Sequence, residues 1–177
     1  MPLSQVALVE KNLQGLCRRA PDLPLVESMV LRVAFMLGRD LNARLDKLLK
    51  PAGLAEAEYR VLTALFSHGG SACAGDLCAA LAQSPANLTR VSDVLVRRGY
   101  VTRGTHAGDR RKIVLSIEPA GEKLLRRLLP HISRDVATAF EGFTAAQKKR
   151  LLGDLKRLLT GIDALNARDP PPRRKSA

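Results

Sequence analysis

The sequence predicts a mainly α-helical fold with one small β-hairpin, on three observations. Apolar residues recur at three- and four-residue intervals through most of the chain. One stretch near residues 100–117 switches to a two-residue period. Hydrophobic residues make up 46% of the 177, yet aromatics are only 3% and Trp is absent, so the core is aliphatic. That content is too high for a disordered chain.

Val6, Val9, Leu13 and Leu16 set a helix over 3–19, which Pro21 and Pro24 end. Asp22 is placed to cap the next helix, with Glu27 in its early turns. Met29, Val33, Met36, Leu37, Leu41, Leu45 and Leu48 carry that helix to about Lys50. Such a stripe spans roughly 25 residues, some 37 Å at the helical rise. Pro51 and Gly53 break it. Residues 55–67 form another helix on Tyr59, Leu62, Leu65 and Phe66, closed by His68-Gly69-Gly70. Helices over 73–82 and 84–98 follow, parted only by Gln83, with Ser84 as N-cap and Pro85 as first helical residue. Gly99 stops the second of them. Tyr100–His106 and Lys112–Ile117 then read as a hairpin around Ala107-Gly108-Asp109-Arg110. Pro119 opens a helix to about 141, which Pro130 is expected to kink. Thr144 and Gln147 form a capping box for a last helix with a seam of Leu151, Leu155, Leu158, Leu159, Ile162 and Leu165.

The two outer helical stripes exceed what the small central unit can cover, which predicts a homodimer built on them. The expected organisation is an N-terminal extension helix at 1–21 and a DNA-binding unit at 51–118. Dimerisation helices at 22–50 and 119–166 flank that unit, and a basic tail at 167–177 carries Arg173, Arg174 and Lys175 beside three prolines.

Charge points to the partner. Lys and Arg total 29 against 17 Asp and Glu, a net charge of +12. Residues 1–50 carry +3, 51–83 carry −2, 84–112 carry +5 and 113–177 carry +6. The +5 segment is the densest outside the tail, and nucleic acid is the first candidate for an anionic partner. No uncharged apolar run is long enough to span a membrane and no signal peptide is apparent, so a reduced, cytoplasmic protein is expected. Three cysteines do not make a disulfide framework.

The order helix, helix, short turn, helix, basic hairpin is that of a winged helix-turn-helix with long dimerisation helices at both ends. A recognition helix enters the major groove with small polar and basic side chains near its N-terminus, and here these are Ser84, Asn87, Thr89 and Arg90. Ser84 and Thr89 suit phosphates, Asn87 suits adenine, and Arg90 suits guanine or phosphate. Leu88, Val91, Val94 and Leu95 face inward, and Asp93 is spaced to pair with Arg97. The expected wing contacts are Arg103, Asp109, Arg110, Arg111 and Lys112.

The stretch SPANLTRVSDVLVRRGYVTRGTHAGDRRKIVLSIEPAG, residues 84–121, resembles the MarR family of bacterial transcription regulators. LKPAGLAEAEYRVLTAL upstream resembles the family's entry to its second helix, and with the flanking helices the likeness covers roughly residues 23–165. The resemblance implies that Arg111 at the wing tip enters the minor groove, where narrow width concentrates negative potential, with Asp109 orienting it. It also implies a small-molecule pocket for an aromatic carboxylate or phenol, with Met29, Arg32, Val33, Met36, Tyr59 and His131 as candidate lining. The chain departs from the family pattern at Ala55, where a Ser or Thr cap is usual, at Ala107-Gly108, where a Pro is usual, and in the helix at 3–19.

The expectation is a ligand-responsive repressor on a pseudo-palindromic operator. Two alternatives stand beside it: a non-specific architectural DNA-binding protein, and a thiol-based redox-sensing regulator. Cys73 and Cys78 fall in an apolar helix and Cys17 lies ahead of the first long helix, so they read as packing residues. His68, His106 and His131 are far apart in sequence and no Cys/His spacing suits a metal. There is no glycine-rich phosphate loop, nucleophile elbow or carboxylate pair, so neither enzyme chemistry nor a cofactor is expected. The near-absence of aromatics around 84–112 disfavours single-stranded targets.

Overall fold

The computed structural model of the chain describes residues 2–106 and 108–168. Seven helices and three strands run in the order α1 (Pro2–Arg19), α2 (Leu25–Leu49), α3 (Glu56–Ser67), β1 (Ser71–Cys73), α4 (Ala74–Leu81), α5 (Pro85–Arg97), β2 (Val101–His106), β3 (Asp109–Ile117), α6 (Pro119–Ala139) and α7 (Ala145–Arg168). The expected tail at 169–177 lies outside the described residues. Contacts divide the chain into two compact units, Met1–Ser133 and Arg134–Ala177, with the boundary inside α6 just past Pro130. The helix runs through that proline.

The core belongs to the first unit. Leu49 at the end of α2, Val61, Leu62 and Leu65 of α3, Leu77 of α4, Leu88, Val91 and Leu95 of α5, Val101 and Leu115 of the strands and Leu124, Leu125 and Leu128 of α6 are all buried. Each helix contributes residues three or four apart, the stripe its sequence period dictates.

Local chemistry sets the boundaries. Ser84 Oγ accepts from the Asn87 backbone N–H at 3.3 Å and Pro85 opens α5, as the sequence indicates. Gly99 takes a left-handed φ of 67°, which lets Tyr100 N–H reach the Leu95 carbonyl at 3.0 Å and turns the chain straight into β2. Thr144 and Gln147 complete the capping box that opens α7, with bonds of 2.8 and 3.2 Å. Asp22 does not cap α2: the N-cap position is Pro24, which makes no side-chain bond. The turn between α4 and α5 bends at Ala82, a non-glycine with φ of 49°. An L-residue there costs about 1–2 kcal/mol.

Ala55 opens α3 without a hydroxyl, yet the start is held. The Glu58 carboxylate accepts the Ala55 backbone N–H at 3.0 Å, half of a capping box supplied from the third helical position. Arg98, just past α5, donates to the same carboxylate at 3.2 Å and to the Gly53 carbonyl at 2.6 Å. The far end of α5 is thereby tied to the junction between α2 and α3.

The hairpin proves to be a three-stranded antiparallel sheet in the order β1-β3-β2. β1 adds along β3 with Ser71 opposite Ser116 and Cys73 opposite Val114. Three residues are too few to show a two-residue period, so β1 is invisible as a pattern in the sequence. β2 and β3 pair regularly from Val101–Ile117 to Thr105–Ile113. The register then shifts, and His106 meets Asp109. β3 therefore starts three residues earlier than the alternation predicts, and the basic stretch after Asp109 sits at the irregular end of the ladder.

Candidate nucleic-acid interface

Two surfaces of the first unit carry the candidate DNA contacts: the N-terminal half of α5 and the wing formed by β2 and β3. On α5, Thr89 and Arg90 are exposed and Asn87 is half-buried. Arg90 donates to Asn87 Oδ1 at 3.0 Å, one turn apart. That bond holds the guanidinium against the helix and leaves the Asn87 amide nitrogen free of it. Ser84 uses its oxygen as the cap acceptor and retains its hydroxyl proton for an outside acceptor. Opposite this polar face, Leu88, Val91 and Leu95 are sunk in the core, so the orientation of α5 is fixed by burial.

At the wing, the Arg111 side chain is 97% exposed. Asp109 Oδ1 accepts the Arg111 backbone N–H at 3.1 Å and lies 3.9 Å from its Nε. An aspartate that bonds the amide two residues on makes an Asx turn, which sets the backbone that carries Arg111. In water the exposed ion pair itself is worth little. Lys112 is exposed beside it, whereas Ala107 and the side chain of Arg110 lie outside the described residues.

Arg103 sits differently from the other basic residues. Its Nη2 donates to Ser92 Oγ and to Asp93 Oδ1, both at 2.7 Å. Asp93, expected to pair with Arg97 along the helix, pairs instead with Arg103 across to β2. Ser92 is a buried polar residue whose hydroxyl also donates to the Thr89 carbonyl at 3.0 Å. Composition offers no hint of this: residues ten apart on a helix and a strand meet only once the chain folds.

The candidate effector residues are spread through the first unit. Arg32 lines a groove of about 240 Å³ with Val9, Asn12, Leu13 and Leu16, between α1 and α2. Met29 and Met36 are half-buried on α2, while Val33 on α2 and His131 on α6 are exposed. Tyr59 packs against the core, and burial pushes its phenol above the ordinary value. A larger cavity, of about 450 Å³, opens between α4, α5 and the wing, lined by Cys78, Leu88, Thr89, Ser92, Arg103 and Ile113 among others. The three cysteines are half-buried free thiols, and Cys17 Sγ donates to the Leu23 carbonyl at 3.5 Å. Among the described residues no group of three His, Cys, Asp or Glu could hold a metal ion, and no helix is long and apolar enough to cross a membrane.

A model of the MarR family matches residues 52–112, from the end of α2 through α5 to the wing tip. The chain is also 27% identical to the transcriptional repressor MprA of Escherichia coli over 158 residues, covering 89% of this chain and 90% of MprA. The chain belongs to the MarR family. Solved MarR family structures share its fold. AbsC of Streptomyces coelicolor superposes with a TM-score of 0.74 at 24% identity, covering 80% of this chain and 97% of AbsC. A mutant of E. coli MarR, crystallised with operator DNA, gives 0.65 at 22%, over 72% of this chain and 91% of MarR. BpsR of Bordetella bronchiseptica, whose DNA binding is regulated by 6-hydroxynicotinic acid, gives 0.61 at 23%, over 72% and 98%. The MarR family is one of transcriptional regulators, not of enzymes.

Proposed function

We propose that the protein is a ligand-responsive repressor that binds a pseudo-palindromic operator as a homodimer. The observation that carries this reading is the wing: a nearly free arginine, Arg111, on a turn shaped by Asp109, beside an α5 whose polar face is held outward by its buried one. Ser84, Asn87, Thr89 and Arg90 serve the major groove, and Arg110, Arg111 and Lys112 serve the adjacent minor groove and its phosphates. Residues 51–118 make up the DNA-binding unit. The helices at 22–50 and 119–166 form the dimer, the helix at 1–21 extends it, and the tail at 167–177 adds general attraction for DNA.

Repressor activity follows the MprA likeness, and operator binding follows the MarR complex. An aromatic or anionic effector follows the BpsR likeness, with Met29, Arg32, Val33, Met36, Tyr59 and His131 as its candidate contacts. Such an effector relieves repression only by preferring a geometry that does not fit DNA.

The test is fluorescence anisotropy with a duplex from upstream of the protein's own gene, against scrambled competitor at fixed salt. The upstream duplex should win by at least the thousandfold margin usual for specific sites. Equal competition would convert the reading to the architectural alternative. Arg111→Ala should weaken operator binding about tenfold to a hundredfold, the worth of one specific contact, with the dimer intact.

A further inference from the structure

Arg103 belongs by charge and position with the cations that meet DNA, and its surroundings argue otherwise. Both N–H groups of its Nη2 are used, one on the buried Ser92 hydroxyl and one on the Asp93 carboxylate, each at 2.7 Å. Ser92 passes the link on, donating its own proton to the Thr89 carbonyl on α5. A guanidinium neutralised by an adjacent carboxylate is a poor phosphate ligand, because the phosphate would have to displace or face that negative charge. Asp93 and Asp109 are the only acids in the basic segment 84–112, and each lies against an arginine.

Position says what the bridge is for. The base of the wing is anchored by Val101 and Leu115, both buried, whereas β2 is exposed from Thr102 outward. Arg103 is opposite Leu115, at the last level where the sheet meets the core. Just beyond it, the cavity of about 450 Å³ separates the wing from α4 and α5, and Ile113 on its wing side is exposed. Apolar packing does not hold the outer wing against α5, and Arg103 and Ser92 span the rim of that gap with charge-assisted hydrogen bonds. We propose that Arg103 is a positioning residue that fixes the angle of the wing on α5 through Ser92 and Asp93, and that it does not itself contact DNA.

This rests on the DNA-binding reading, and the experiment separates the two. The probe is a duplex selected by the wild-type protein from a random library. Should the wild type enrich no sequence, the operator reading fails and the positioning role fails with it. With a selected duplex in hand, Asp93→Asn decides by sign. If Arg103 contacts phosphate, removing a nearby negative charge raises affinity. If Arg103 positions the wing, Asp93→Asn weakens binding on the order of tenfold, the worth of one charge-assisted hydrogen bond. Arg103→Lys, which keeps the charge and loses the two-pronged geometry, should weaken it as well.

Two further readouts exclude a merely structural effect. Log affinity against log salt should keep the wild-type slope in Arg103→Gln, whereas each lost phosphate contact lowers it by about 0.9. In an Arg111→Ala background, Asp93→Asn should have little further effect, because a mispositioned wing matters only through the side chain it carries to DNA. Tighter binding by Asp93→Asn, a shallower salt slope for Arg103→Gln, or additivity with Arg111→Ala would each overturn the proposal.

Discussion

Leu62 in α3 and Leu159 in α7 are the same residue on helices of similar apolar spacing, yet Leu62 is fully buried and Leu159 is 61% exposed. The contrast extends to their neighbourhoods. Around Leu62, three helices, the sheet and the first half of α6 close on one another and leave a core of fourteen buried apolar residues. Around Leu159, the residues Leu151, Leu152, Leu155, Ile162 and Leu165 are also exposed, as are Val30, Leu31, Leu37 and Leu41 on α2, where Phe35 is 77% exposed. Fully burying one such side chain is worth about 1.5–3 kcal/mol, so an open stripe of this length is a large unspent driving force. The central unit has the proportions of a self-sufficient domain. The long helices have those of half an interface, the observation behind the proposed homodimer.

The sharpest way to break this comparison is to treat the two leucines alike. Leu62→Ala should cost about 2–5 kcal/mol in urea unfolding, since it opens a cavity in a closed core. Leu159→Asp should leave the helical circular dichroism in place and shift the dimer toward monomer in sedimentation velocity. An unchanged sedimentation coefficient would remove the case for a second copy on that stripe.

A smaller effect tests how tightly the central unit closes. A methyl group added at Gly121, in the first turn of α6, would lie 2.5 Å from the Tyr100 carbonyl oxygen and 3.0 Å from Ile117. The Tyr100 carbonyl is itself fixed, accepting the Glu118 N–H at 2.9 Å. Gly121→Ala should therefore destabilise by about 1–3 kcal/mol, the usual range for overpacking. A wild-type melting temperature would mean that α6 can slide away from the wing base.

The smallest effect concerns Tyr59, at the edge of the core. Its phenol is pushed up by burial, so between its unfolded value near 10 and its higher folded value the native state holds a proton that the unfolded chain has lost. The stabilising contribution is complete below pH 10 and disappears as pH rises through the folded value. Tyr59→Phe should flatten the stability difference between pH 9 and 11 by under about 1 kcal/mol. Parallel pH curves for the two proteins would place the phenol in water.

Much of this architecture was legible because its signals are local. Ser84-Pro85 and Thr144 with Gln147 mark helix starts within four residues of themselves, and Gly99 marks an end. Asp109 and Arg111 are close enough in sequence for their turn to be read from spacing. Other features resisted for an equally physical reason. β1 is too short to have a period, Ala82 adopts a backbone that its side chain disfavours, and Asp22 loses the cap because the helix starts beyond Pro24.

The sequence by itself determined where helices begin and end, that the core is aliphatic, and that positive charge gathers on one helix and its wing. These follow from backbone sterics and side-chain chemistry acting over a few residues. Only the tertiary structure decided which charges remain open to a partner and which are used within the fold. Glu58 meets Arg98 across forty residues, and Asp93 takes Arg103 from another element while Arg111 is left exposed. An ion pair is selected by distance in space, and that distance exists only after burial of Leu88, Val91, Leu95, Val101 and Leu115 has brought helix and wing together.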